Sequence, residues 1–271
     1  MEPEQNLIPG VTEGCYALRN THAQYHAAKD VLSNSMIKKL LRSAAHLKAS
    51  QQAEKAELAS QRLGTGMHAA LLEPDVFASQ YVVFAGYRKG KEYDTFVEAN
   101  GGKVILNEVE HKSIIGMRDA VLAYDEIDLG RAIKIGTSEL SIYWTDGETG
   151  VKCRIRPDSF SQYGALDLKS TDDAWQEAFA RQAARLGYDI QAAMYSEGLR
   201  QFLGELPFYF VAVEESAPHG VWVHKASVTF LAAGTRKFRA GLRLFKHCQE
   251  TGQWPCYRGS FTELDLPRWA E

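Results

Sequence analysis

Cysteine is scarce in this chain of 271 residues, and Cys15, Cys153, Cys248 and Cys256 form no C-x-x-C pair. That spacing argues against a zinc site, and Cys153, at an inward position of an alternating run, reads as one of several buried free thiols rather than half of a disulfide. No stretch of about eighteen apolar residues occurs, and the start Met1-Glu2-Pro3-Glu4-Gln5 lacks the basic and then apolar pattern of a secretory signal. The expectation is a soluble, cytoplasmic protein with no membrane partner. A cationic excess is also missing, since 31 Lys and Arg face 34 Asp and Glu, for a net charge of -3. This excludes a protein that grips nucleic acid over its whole surface but allows a local basic lining. Neither an internal repeat nor a low-complexity linker divides the chain.

What is present is an ordinary core-forming composition, 45% apolar and 11% aromatic. Ser33 or Asn34 caps a helix carrying Met36, Leu40, Leu41, Ala44 and Leu47 at helical spacing. Its other face bears Lys38, Lys39, Arg42 and Lys48. After a polar stretch, Gly64 to Pro74 reads as a short apolar helix containing His68. A short strand is predicted over 81–84 and a helix over 108–125. The pattern then switches to period two: Leu140, Ile142 and Trp144, a turn at Asp146-Gly147, then Val151, Cys153 and Ile155. Lys152, Arg154 and Arg156 would give this hairpin one cationic face. Tyr163 to Lys169 supplies a third strand, 172–186 and 188–203 two helices, Pro207 to Glu214 and Val221 to His224 two more strands, and about 228–249 a basic amphipathic helix. The order predicts one α/β domain over 1–271, with an N-terminal helical region (about 1–75) and a short tail (about 252–271).

The chemistry concentrates in Arg156-Pro157-Asp158 and Asp167-Leu168-Lys169. On a strand, Asp167 and Lys169 emerge on one face while Leu166 and Leu168 enter the core. Two carboxylates suit a hard divalent cation, and an adjacent lysine suits charge building on a phosphate. Around this lie Gly64-x-x-x-His68 upstream, Glu139 at the near edge of the hairpin, and Gln191 with Tyr195 one turn later on the next helix.

That ordered series resembles the PD-(D/E)-x-K nuclease superfamily, in particular RecE-like exonucleases (exodeoxyribonuclease VIII type). The segments that look alike are Leu32 to Ser35 with its helix, Gly64 to Pro74, Glu139 to Asp146, Cys153 to Asp158, Asp167 to Thr171 and Tyr188 to Gly198. The resemblance implies an α/β restriction-endonuclease-like core, a mixed central sheet flanked by helices. It implies His68, Asp158, Asp167 and the Leu168 carbonyl as metal ligands for Mg2+, with Mn2+ as a substitute. Asp158, Asp167, Lys169 and Gln191 would be the catalytic set, with Lys169 positioning or activating water and Gln191 bracing the lysine or the scissile phosphate. Ser35, Arg42, Glu139 and Tyr195 would meet substrate, Ser35 near a terminal 5′-phosphate at a helix N-terminus. The chain departs from many relatives in using Asp167 where they have glutamate, a shorter arm that would draw the metal toward the strand. Some nucleases of this superfamily hold an iron-sulfur cluster on one early and three late cysteines; with only two late cysteines here, no such cluster is expected.

The implied activity is exonucleolytic digestion of linear double-stranded DNA, 5′ to 3′, leaving 3′ single strands for a RecT-like annealing partner, by a ring-shaped homo-oligomer. A structure-specific endonuclease and a non-catalytic DNA-binding module on the same fold are the alternatives.

Overall fold

Phe208–Glu214 is a nearly unbroken apolar run whose residues are buried on both sides, the pattern of an inner strand. The rest of the fold is laid around it. The computed structural model describes residues 7–52, 59–127, 129–257 and 263–266. In chain order the elements are β1 (Ile8–Pro9), β2 (Tyr16–Leu18), α1 (His22–Ala27), α2 (Asn34–Arg42), α3 (Ala44–Gln52), α4 (Ala59–Leu72), α5 (Pro74–Gln80) and β3 (Tyr81–Val83). There follow α6 (Lys91–Ala99), β4 (Val104–Leu106), α7 (Glu108–Leu122), α8 (Leu129–Ile135), β5 (Thr137–Ser138), β6 (Ser141–Thr145), β7 (Lys152–Ile155), β8 (Ser159–Ser161) and β9 (Gly164–Thr171). The last are α9 (Gln176–Leu186), α10 (Tyr188–Phe202), β10 (Phe208–Glu214), β11 (Val221–Lys225) and α11 (Val228–Thr251).

The main sheet has the order β11-β10-β9-β8-β5. It is mixed: β9 and β10 run parallel, with Asp167 opposite Phe210 and Lys169 opposite Ala212, and the other neighbours are antiparallel. Strand alternation sorts its side chains into two cores. Leu166, Leu168, Val211 and Val213 pack with Met67 of α4 and Ile114 and Met117 of α7. Ala165, Phe208, Phe210 and Ala212 face the other way, onto Phe179 of α9, Ile190 and Met194 of α10 and Phe238 and Leu242 of α11. This mixed sheet between helical layers is the α/β core expected from the sequence. Among the described residues, no helix is long and apolar enough to cross a membrane.

Several local expectations are revised. The hairpin β6–β7 forms in register, Ile142 opposite Ile155, but joins a second sheet, β1-β2-β6-β7, instead of running on into β9. Pairing of β2 with β6 also means the N-terminal region is not helical throughout. The helix predicted through Ala44 and Leu47 breaks at Ser43, whose extended backbone (φ -169°) ends α2 and whose hydroxyl accepts from His46 N at 3.2 Å to start the next helix. Cys15, Cys153 and Cys248 are buried, whereas Cys256 is exposed.

The hairpin loop contains a buried charge with a consequence for stability. Asp146 Oδ2 accepts from Thr149 N at 2.9 Å and from the Thr149 hydroxyl at 2.7 Å, and Oδ1 meets the Arg239 guanidinium of α11. Burial alone would raise the Asp146 carboxyl, but these hydrogen bonds and the guanidinium outweigh it and hold it below the usual carboxylate range. A depressed folded value means the stabilisation is fully present above the unfolded pKa of about 3.9 and is lost as pH falls through the folded one. Asp146→Asn is therefore expected to lose about 1–3 kcal/mol at neutral pH. Urea unfolding of both proteins at pH 7 and again near pH 3 should show that gap narrowing in acid; a gap independent of pH contradicts the assignment.

Candidate metal-dependent active site

Asp158 follows the end of β7, where Pro157 turns the chain toward β8, and its carboxylate folds back across to β9. Oδ2 accepts from Leu168 N at 2.7 Å. The antiparallel pairing of β8 with β9, Ser159 opposite Leu166, brings this turn beside Asp167. Asp167 is 1% exposed. Its Oδ1 accepts from Gln191 Nε2 of α10 at 2.6 Å, and its Oδ2 forms an ion pair with the Lys169 ammonium. That ammonium lies 5.0 Å from the ring centroid of Tyr188, one turn before Gln191 on the same helix.

Helix α4 buries Met67 and Ala70 against the sheet, which leaves His68 directed at the edge of β9. His68 Nε2 lies 3.1 Å from the Leu168 carbonyl and Nδ1 lies 3.5 Å from Asp158 Oδ1. A carbonyl only accepts, so Nε2 carries the proton. Burial, followed by the nearby Lys169 charge, lowers the His68 pKa and keeps the imidazole neutral. Nδ1 therefore presents a bare lone pair toward Asp158, the arrangement of a metal-binding histidine oriented by a main-chain carbonyl.

Burial, then the Asp167 carboxylate, pushes the Asp158 carboxyl well above its ordinary range, against the pull of Lys169 and the Leu168 N–H. Neighbouring carboxylates each disfavour the other's charge, and a nearby cation would relieve that repulsion. The donor set thus fits a hard divalent ion: carboxylate oxygens with one neutral imidazole. The cluster differs from the expected one in a detail. Ligand atoms of His68, Glu139 and Asp158 all lie within 4.8 Å of one another, so Glu139, expected to meet substrate, joins the candidate metal ligands. The Asp167 oxygens are engaged by Gln191 and Lys169, and the Leu168 carbonyl serves His68. Glu139 reaches the cluster from a left-handed backbone, φ +55°, with its N–H 3.4 Å from the Asp158 carbonyl and its carboxylate held by Arg156 Nε.

These groups open into a cleft of about 1090 Å³ whose walls include Tyr25, Ser35, His68, Glu139, Asp158 and Tyr195. Tyr195 sits one turn beyond Gln191, and its hydroxyl is pushed well above the usual range by burial, then by Tyr25 and the two aspartates. Ser35 is exposed in the first turn of α2, its hydroxyl 3.2 Å from that of Ser33. Arg42 is not brought to the cleft. It lies in the last turn of the same helix, about 10 Å along its axis, and Arg42 Nε donates to Tyr257 OH at 3.1 Å.

The cationic hairpin face is also corrected. Lys152 is exposed, but Arg154 is 2% exposed and lies 4.6 Å over the Tyr25 ring, and Arg156 donates from Nη1 to the Asn20 carbonyl at 3.0 Å. Tyr25, Asn20 and Tyr188 border or support the site with no motif to mark them; Asn20 and Tyr25 belong to a segment without periodicity.

Residues 33–265 match the family model described as "PDDEXK-like domain of unknown function (DUF3799)". Among solved structures, the fold is similar to that of a crystal structure named "Putative exonuclease" from Eubacterium rectale, with a TM-score of 0.61 and 15% identity over 92% of this chain and 97% of that one. At that identity the likeness concerns the fold alone. No curated protein matches the sequence. With residues 33–265 matched, most of its length, the chain belongs to the PDDEXK-like DUF3799 family of the PD-(D/E)-x-K superfamily.

Proposed function

We propose that the protein is a metal-dependent deoxyribonuclease that digests linear duplex DNA from an end, as RecE-like exonucleases do. The observation that supports this best is the buried Asp167 fixed between Gln191 and Lys169, next to a His68–Glu139–Asp158 cluster at the wall of an open cleft. A divalent cation held by Asp158, His68 and Glu139, with Asp167 adjacent, would supply Lewis-acid polarisation of the phosphate and a more acidic water. The side chains supply the rest. Gln191 and Lys169 each hold one oxygen of Asp167, fixing that carboxylate's orientation. Lys169 sets an ammonium where negative charge builds on the scissile phosphate. Hydrolysis then forms one P–O bond from water and breaks one P–O bond of the backbone.

An end-directed reading is supported by the start of α2, where Ser33, Asn34 and Ser35 line the cleft and the Ser33 side chain makes no capping hydrogen bond to the helix. A helix N-terminus whose first N–H groups are uncapped favours an anion. Duplexes with a 5′-phosphate are therefore expected to be digested faster than matched 5′-hydroxyl duplexes at one fixed ionic strength, and Ser35→Ala should shrink the preference several-fold. Equal initial rates on the two ends would remove Ser35 from the site. The 5′ to 3′ direction, Mg2+ as the resident ion, the closed ring and a RecT-like annealing partner belong to the same reading and rest on the RecE-like resemblance.

The deciding experiment incubates purified protein and Mg2+ or Mn2+ with linear and with covalently closed duplex DNA. Nucleotide release from linear DNA alone is the expected result. Cutting of circles would make the protein an endonuclease, and binding without release a DNA-binding module.

A further inference from the structure

On the face of α2 that starts at Ser35, the next position one turn along is Lys38. Its stem crosses the elbow between α9 and α10. Gly187 at that elbow has φ +67°, and a Cβ added there would lie 3.0 Å from Lys38 Cδ, so the elbow is shaped to admit the lysine. Lys38 Nζ donates to the Leu186 carbonyl at 3.1 Å. The residue after Gly187 is Tyr188, whose ring lies under the Lys169 ammonium. Two ammonium groups thus flank one elbow. Burial, and then the charge of Lys169, lowers the Lys38 pKa, as expected of a cation held close to another.

Arg181 and Arg185 extend this positive surface. They stand four residues apart on the exposed side of α9, and neither pairs with a carboxylate among the described residues. The nearest acid along the helix toward α10, Asp189, is neutralised by Lys237 at 2.6 Å. The dipole at the C-terminus of α9 would account for one cation in its last turn. It does not account for a second arginine one turn earlier, nor for Lys38, brought from α2 to the same elbow near Lys169.

The geometry points to Lys38, Arg181 and Arg185 as a phosphate-binding strip that receives the DNA backbone where it leaves the cleft past Lys169. This rests on the nuclease reading. The partner is identified by charge: a polyanion with regularly spaced phosphates, which on the nuclease reading passes through the adjoining cleft, would meet two exposed arginines and the half-buried Lys38 ammonium at its exit.

The test is the salt dependence of affinity for a fluorescent duplex oligonucleotide, followed by anisotropy in EDTA. Each phosphate contact contributes about 0.9 to the slope of log K against log salt. Lys38→Met, which keeps the stem on Gly187 and removes the charge, should lower the slope by about one contact, and Lys38→Arg should retain it. The double variant Arg181→Gln with Arg185→Gln should lower it by about two contacts. Thermal unfolding of the double variant should match the wild type, because both side chains are exposed, so that arm reads binding even if Lys38→Met folds poorly. A wild-type slope retained in the double variant would overturn the strip while leaving the nuclease reading intact. A wild-type protein that neither binds DNA nor cleaves it with Mg2+ or Mn2+ would overturn both.

Discussion

Asp158→Asn should reduce DNA cleavage by at least about a thousandfold while raising the thermal stability of the metal-free protein. The two effects have one cause. Asp158 carries its charge in a place that disfavours it, because burial and Asp167 push its carboxyl well above the ordinary range. The sign is that of a raised acid: the folded state holds the proton more tightly than the unfolded chain, so stability falls as pH rises from the unfolded value through the folded one. At neutral pH the neutral amide removes that penalty, and its carbonyl oxygen can still accept from Leu168 N, the 2.7 Å bond that fixes the turn. What the amide cannot do is attract a cation. In paired melting curves, Mn2+ should raise the melting temperature of the wild type but leave that of the variant unmoved. Asp167→Asn should also abolish cleavage, but without the gain in stability, since Asp167 already has Gln191 and the Lys169 ammonium as partners. Cleavage by Asp158→Asn at the wild-type rate would move the active centre elsewhere.

The parts of this site that could be read from the sequence are those set by local periodicity. Asp167 and Lys169 share one face of β9 and Leu166 and Leu168 the other because strand side chains alternate, whatever surrounds the strand. Gln191 and Tyr195 are four residues apart on α10, so one turn of helix puts them on the same side. The hairpin register, Ile142 opposite Ile155, likewise follows from adjacent alternating runs. What escaped was decided by pairing distant in sequence. Alternation gives Arg154 an outward direction on the hairpin, yet β2 pairs with β6, Tyr16 opposite Tyr143, and the segment that follows lays Tyr25 over the guanidinium. Nothing in the aperiodic first thirty residues announces that layer. Glu139 stands out at the near edge of the hairpin, but its place among the metal-binding candidates depends on a left-handed backbone that sequence patterns do not favour for glutamate. Arg42 shows the converse limit. Periodicity places it on its helix, but that helix meets the cleft only at its first turn.

Lys169→Met should lower turnover by about a hundredfold or more and change DNA affinity only a few-fold. The ammonium is held between the Asp167 carboxylate and the Tyr188 ring, so it is already in place and loses little freedom when substrate arrives. Burial would drive such a group toward neutrality, but the charges of Asp167 and Asp158 outweigh it and hold the Lys169 pKa above its usual value in the metal-free protein. It therefore meets the phosphate as a cation and a hydrogen-bond donor, and its contribution is confined to the charge that develops during reaction. That is why the loss should fall on kcat rather than on KM. Lys169→Arg should fail to rescue, because a planar guanidinium is longer than the ammonium and cannot occupy the same space between Asp167 and the ring without displacing one of them. Gln191→Ala gives an independent reading of the same support: with Asp167 Oδ1 released, the lysine remains but its partner is free to turn, and a smaller loss of kcat, on the order of tenfold, is expected. Single-turnover rates on one linear duplex, with binding measured separately, distinguish these cases. Wild-type kcat in Lys169→Met would remove the lysine from the chemistry, whereas wild-type kcat in Lys169→Arg alone would show that charge suffices and that the fit between Asp167 and Tyr188 is incidental.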